Sequence, residues 1–226
     1  MSAEAPGVRR SYQALRRAQS ASQTRMAIHT AAMRLFLERG YGNVTVGDIA
    51  AQVAVAIPTV YASAGGKATI LARLIADAQA DPIAAETLPA LRICTHARDV
   101  IQVTAHGARM GNERCHDIIQ VIVTAAAADK SFISTLAAVD RAYRAALGEV
   151  AARLGELCRL QVTQLRATDI LWFYLGHQAW HLCVTEQGWS WDEAQEWLGA
   201  RVSAALLGLP SSKPDERSTT TRSGEV

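Results

Sequence analysis

Aromatic side chains are scarce in this chain, with Phe, Trp and Tyr together making up 6% of 226 residues. Ala, Leu, Arg, Glu and Gln are plentiful instead, a balance that disfavours sheet and favours helix. Long apolar runs are absent too. The longest apolar-looking stretch, Ile118 to Ala128, is interrupted by Gln120 and Thr124 and falls well short of the roughly 20 residues of a membrane helix. The first twenty residues lack the continuous apolar core of a secretory signal. Cys94, Cys115, Cys158 and Cys183 form no C-x-x-C pair, so they read as small buried hydrophobes in a reducing compartment. These absences predict an all-α, cytoplasmic protein without a membrane partner.

Half of the residues are hydrophobic, ample for a buried core. The net charge of +2 is unevenly placed: residues 1–80 carry nine basic and four acidic side chains, a balance of +5, which leaves −3 for the rest. A basic N-terminal third suits a protein that meets a polyanion at one end.

Residues 1–20 show no apolar period, and the pairs Arg9-Arg10 and Arg16-Arg17 repel one another. A flexible basic arm is expected there, either a solvated tail or a source of phosphate and minor-groove contacts. Ser20-x-x-Gln23 has capping-box spacing and predicts a helix whose stripe is Ile28, Ala31, Ala32, Leu35 and Phe36, stopped by Gly40. Thr45-x-x-Asp48 is a second capping box, opening a short helix that ends near Val53. After a turn at Ala54-Val55, a third helix starts at Ala56 or Ile57, where Pro58 is tolerated in the first turn. It runs to about Ser63, Gly65-Gly66 breaks the chain, and Lys67 opens a fourth helix with Ile70, Leu71, Leu74 and Ile75 facing the core.

Three segments, TRMAIHTAAMRLFLERGY, VTVGDIAAQVAVAIPTVY and GGKATILARL, cover Thr24 to about Ala76. In that order they resemble the N-terminal domain of TetR/AcrR-type transcriptional regulators. The resemblance implies a helix-turn-helix at about 45–64 within a DNA-binding domain at 21–80. It also implies a helical ligand-binding and dimerisation domain at 81–209, and residues 210–226, rich in Ser, Thr and charge, are expected to be disordered. The implied activity is that of a ligand-responsive regulator, commonly a repressor, which binds a palindromic operator in double-stranded DNA as a homodimer and is released by a small molecule. Against the family pattern, Ala54 replaces a customary Gly in the turn, Ala56 a capping Ser and Ala64 a Phe. The loss of the side-chain cap alone costs about 1 kcal/mol.

On this reading Thr45, Lys67 and Arg25 hold phosphates, and the resemblance places Tyr61 against the backbone of the duplex. Ala56 starts the reading helix, and Ile57, Pro58 and Thr59, with Ala62 and Ser63, face the bases. Without Arg, Asn or Gln there, recognition rests on thymine methyl groups, Thr59 and DNA shape.

Further helices are expected at about Thr95 to Met110, Cys115 to Ala127, Ser131 or Asp129 to Arg159, Thr168 to Glu186 and Ser190 to Leu207. Trp172, Gly176 and Trp180 fall at i, i+4 and i+8 on one of them. The family architecture implies that the last two, about 168–207, pair across a two-fold axis. It also implies a pocket with His106, Arg109, Met110, His116, Tyr143 and Trp172 as candidate ligand-binding residues. No catalytic constellation and no cofactor is expected. The alternative is a zinc-binding helical protein or enzyme using His177 and His181, which stand at i and i+4. Gln178 occupies the place of the general base in H-E-x-x-H, and no third ligand is evident.

Overall fold

A computed structural model describes residues 6–80 and 82–208, with side chains from Arg16 onward and that of Ala84 excepted. Among the described residues there is no strand, and the chain is all-α as expected. The elements are α1 (Pro6–Arg39), α2 (Val46–Gln52), α3 (Ile57–Ala64), α4 (Lys67–Gln79) and α5 (Ile83–Ile93), followed by α6 (Ala97–Ala128) and α7 (Ile133–Leu157). Helix α8 (Gln164–Leu175) and the short α9 (His177–Trp180) lead into a π-helical turn (His181–Glu186), and α10 (Trp191–Leu207) closes the described chain.

The chain divides into two compact units. The first comprises residues 1–83 and 111–142. Its core is built on the expected α1 stripe: Ile28, Ala32, Leu35 and Phe36 are buried with Ile49, Val60, Ile70 and Leu71, and Ile118, Ile122 and Phe132 complete it. Helix α1 stops at Arg39 because Gly40 takes φ 77, a conformation that costs glycine little.

The second unit comprises residues 84–110 and 143–226. Trp180, Ile101, Leu154, Leu171, Leu175 and Leu198 are its largest fully buried side chains. The Ser190–Glu193 capping box that starts α10 is formed in both directions.

Several expectations need correction. Helix α1 starts at Pro6, not Ser20, so residues 6–20 of the expected flexible arm are helical, while 1–5 lie outside the described residues. The Ala, Leu, Arg and Gln of this segment are strong helix formers, and charge repulsion between neighbouring arginines is too weak to overrule them. The helices expected at Thr95 to Met110 and Cys115 to Ala127 are one, α6, because a single mid-helix glycine such as Gly111 costs only about 1 kcal/mol. Helix α5, with Pro89 inside it, was not anticipated.

The helix expected at Thr168 to Glu186 begins instead at Gln164, capped by the Thr163 hydroxyl, and breaks at Gly176. Trp172 and Trp180 therefore do not share one helical face. The tail at 210–226 lies outside the described residues.

Candidate nucleic-acid interface

The short helices α2 and α3 meet at 100°, within the range of about 90–120° for helix-turn-helix pairs. Local chemistry sets this geometry. The Thr45 hydroxyl accepts from the Asp48 backbone N–H, while the Asp48 carboxylate accepts from the Thr45 N–H at 2.8 Å and from its hydroxyl. These bonds from Thr45 hold the Asp48 carboxyl below its ordinary range, helped by Arg39 at 3.5 Å.

At its other end α2 closes in a Schellman motif. The Val55 N–H donates to the Ala50 carbonyl at 3.0 Å and the Ala54 N–H to that of Ala51 at 3.3 Å. The motif requires a left-handed residue, and Ala54 supplies it with φ 53. Helix α3 then starts at Ile57 with no side-chain cap from Ala56 and with Pro58 in its first turn.

Val60 anchors α3 in the core with none of its surface exposed. The opposite side carries Ala56, Ile57, Pro58, Thr59, Tyr61 and Ala62, all exposed. Ile57 and Tyr61 are large side chains left 48% and 55% exposed. This uncharged face, with Thr59 and the Tyr61 hydroxyl as its polar groups, is what α3 presents to a partner.

The predicted phosphate holders occupy the two ends of the motif. Arg25, exposed on α1, donates from Nε to the Ser63 carbonyl at 2.9 Å, joining α1 to the last turn of α3. Lys67 donates from Nζ to the Tyr41 carbonyl at 2.9 Å and sits 4.2 Å from the centre of the Tyr41 ring. Its charge also contributes, behind hydrogen bonds from Ser131, to holding the Asp129 carboxyl low. Thus Thr45, Arg25 and Lys67 are each engaged within the domain, in positions from which their side chains reach the motif's edge.

The predicted ligand residues are only partly gathered. His106 is exposed, and His116 belongs to the first unit. Half-buried Arg109 bridges to Asp192 at 3.2 Å and donates to the Met110 sulfur. Tyr143 and Trp172 meet edge to face with ring centres 5.7 Å apart.

His177, expected only in the zinc-binding alternative, joins this pair, its ring 5.0 Å from Tyr143 and 6.2 Å from Trp172. Burial pushes the His177 pKa down to about 4, so the ring is neutral at ordinary pH. Arg144 lies over Trp172 and pairs with Asp169. The break at Gly176 creates this cluster: the Leu175 carbonyl accepts from the Tyr143 hydroxyl at 2.7 Å and from Trp180 Nε1 at 3.0 Å. The one available signal is Gly176 itself, at i+4 between Trp172 and Trp180. Among the described residues no three His, Cys, Asp or Glu gather as a metal site, and His181 faces Glu186 at 3.6 Å.

Residues 28–74 match the family model of bacterial regulatory proteins, tetR family. The N-terminal domain belongs to the TetR family. Its α2–α3 pair is therefore a DNA-binding helix-turn-helix in a family of transcriptional regulators.

Solved structures agree in fold over most of the chain. FadR from Bacillus subtilis, in complex with stearoyl-CoA, has a TM-score of 0.62 at 15% identity over 80% of this chain and 98% of its own. A putative transcriptional regulator from Saccharomonospora viridis, in complex with choline, has a TM-score of 0.62 at 15% identity over 82% and 98%. The SmeT–triclosan complex has a TM-score of 0.64 at 18% identity over 85% and 98%. At these identities the likeness concerns the fold alone. No curated protein sequence matches the chain significantly. No single helix among the described residues is long and apolar enough to cross a membrane.

Proposed function

We propose that the protein is a cytoplasmic, ligand-responsive transcriptional repressor that binds a palindromic operator as a homodimer and leaves it when a small molecule binds. The observation that carries this reading is the TetR-type helix-turn-helix with the exposed α3 face from Ile57 to Tyr61. Residues 21–80 act as the DNA-binding domain and 81–209 as the effector and dimerisation domain.

Arg25, Thr45, Tyr61 and Lys67 hold the duplex backbone, while Ile57, Pro58 and Thr59, entered from Ala56, meet the bases. A face so poor in hydrogen-bonding groups favours thymine methyls and depends on DNA shape. Two heads at fixed spacing supply the selectivity that one lacks.

The dimer is supported by apolar side chains left outside the second unit's core. On α8, Leu165 and Phe173 are each 73% exposed, and Leu182 and Trp197 add to them on the π turn and α10. Such surface suits a self-complementary contact.

For the effector, the Tyr143–Trp172–His177 cluster is the best-supported lining, with Arg109 and Met110 on α6. His106 and His116 remain part of the proposed set. Binding there stabilises a conformation in which α4 holds the heads at the wrong separation, so effector and DNA affinities are reciprocally coupled.

Selection of genomic DNA by the purified full chain tests the proposal. The expected result is a palindromic site with T-containing half-sites bound by two chains. Failure to enrich any site would overturn it.

A further inference from the structure

Helix α1 is longer than the domain it serves. Its first buried residue is Ile28, and from Arg16 to Ala27 every residue is exposed except half-covered Thr24. From Pro6 to Ala27 the helix is about 33 Å long at 1.5 Å per residue.

Helix propensity permits this extension but gives it no role. Its described side chains include no buried apolar stripe. Between Glu4 and Glu38 the sequence holds Arg9, Arg10, Arg16, Arg17, Arg25 and Arg34 and neither Asp nor Glu. Stabilising i,i+4 pairs of opposite charge are therefore impossible within it. The pairs Arg9-Arg10 and Arg16-Arg17 stand seven positions apart, roughly two turns, so they recur on one side of the helix. That placement concentrates positive charge along one side of the helix, where a polyanion running beside it would be favoured.

The root of the extension is fixed next to the reading helix. Arg25 Nε donates to the Ser63 carbonyl in the last turn of α3 at 2.9 Å. The basic line is thus continuous with the surface already assigned to DNA.

We propose that the α1 extension, Pro6 to Ala27, is a second DNA-binding element that lies along the phosphates flanking each half-site, with Arg9, Arg10, Arg16 and Arg17 as its contacts. This inference rests on the DNA-binding reading above. Contacts of this kind add affinity and fix register without reading sequence. They complement an α3 face that has few groups for holding a duplex. Neutralising four phosphates per head steepens the dependence of log K on log salt by up to about 3.6 per head, at roughly 0.9 per phosphate.

The test compares the full chain with the variant R9Q/R10Q/R16Q/R17Q on the operator recovered by selection. Two duplexes are used, one cut flush with the half-sites and one extended by a helical turn at each end. If selection recovers no operator, the underlying reading has failed before the extension is examined.

With an operator in hand, the wild type should gain at least tenfold in affinity from the added flanks at low salt. The variant should gain nothing, should match the wild type on the flush duplex and should show the shallower salt slope. The charge-conserving R9K/R10K/R16K/R17K variant should retain the flank gain. An equal flank gain and slope in wild type and the glutamine variant would overturn the proposal. So would a wild type indifferent to flanks that binds vesicles of phosphatidylserine and phosphatidylcholine through the same arginines, which would assign the surface to membrane instead.

Discussion

Helices α2 and α8 end in turns that depend on different parts of the chain. At the end of α2 every bond is local: Ala54 and Val55 donate back to Ala51 and Ala50, and Ala54 alone carries the left-handed strain. At the end of α8 the Leu175 carbonyl is satisfied by side chains, the hydroxyl of Tyr143 on α7 and the indole of Trp180. The first turn is completed from its own backbone, whereas the second also draws on a donor from α7. A turn of the first kind is robust to its surroundings, and one of the second kind reports on them. The difference suits a reading head of fixed shape and an effector unit that has to respond.

Acid should break the second turn and spare the first. His177 directly follows Gly176, and burial holds its pKa at about 4, against 6.5 for an unperturbed imidazole. The native state keeps the ring neutral, so this source of stability is intact above pH 6.5. It is lost as pH falls through about 4, because the unfolded chain takes up the proton first. The loss reaches about 3 kcal/mol by pH 4. All five Trp lie between 172 and 197 in the second unit, so tryptophan fluorescence during urea unfolding follows that unit alone. A His177→Gln variant should flatten the pH dependence, and an undiminished slope in it would remove His177 as the cause.

Crowding the break should cost somewhat less. A Cβ added at Gly176 would overlap the Trp172 carbonyl oxygen, part of the backbone and unable to swing aside. Gly176→Ala should therefore destabilise the second unit by about 2 kcal/mol, seen as an earlier fluorescence midpoint, while Gly188→Ala would not test steric fit because Gly188 has open space around it and a φ of 71. A Gly176→Ala midpoint equal to wild type would mean that the break relaxes freely. Tyr143→Phe removes one of the two donors to Leu175 and keeps the ring, so a smaller loss of about 1 kcal/mol is expected from the same measurement. No loss would show that the Trp180 bond alone satisfies the carbonyl.

The same contrast explains what was legible in the sequence. Gly40, the Thr45–Asp48 box, Pro58, Gly65 and Lys67 act within a few residues of themselves, and each start or stop they predicted in the N-terminal domain is present. The Tyr143–Trp172–His177 cluster joins residues up to 34 positions apart, and periodicity along one helix carries no trace of it. Gly111 and Gly176 are the same residue type inside apolar helical patterns, yet α6 runs through one and α8 stops at the other. At the second, side-chain donors from Tyr143 and Trp180 take up the Leu175 carbonyl. Before Ser20 the basic pairs suggest an unstructured arm, but the helix propensity of the residues between them outweighs their repulsion.

The smallest expected effect has the opposite sign and bears on the local turn. A residue with a Cβ in the left-handed region costs about 1–2 kcal/mol, and Ala54 sits there at φ 53. Ala54→Gly relieves that strain, but glycine loses roughly 0.5–1 kcal/mol more backbone entropy on folding. The net stabilisation is about 0.5 kcal/mol, which amide exchange in α2 and α3 should report as protection increased about twofold. Because the Val55 and Ala54 bonds belong to the backbone, the substitution leaves the 100° crossing and the exposed α3 face in place. Affinity for an operator should then stay within about twofold of wild type. If glycine instead lowered protection, the turn would owe its shape to the alanine side chain, and the separation between a self-sufficient first turn and a dependent second one would fail.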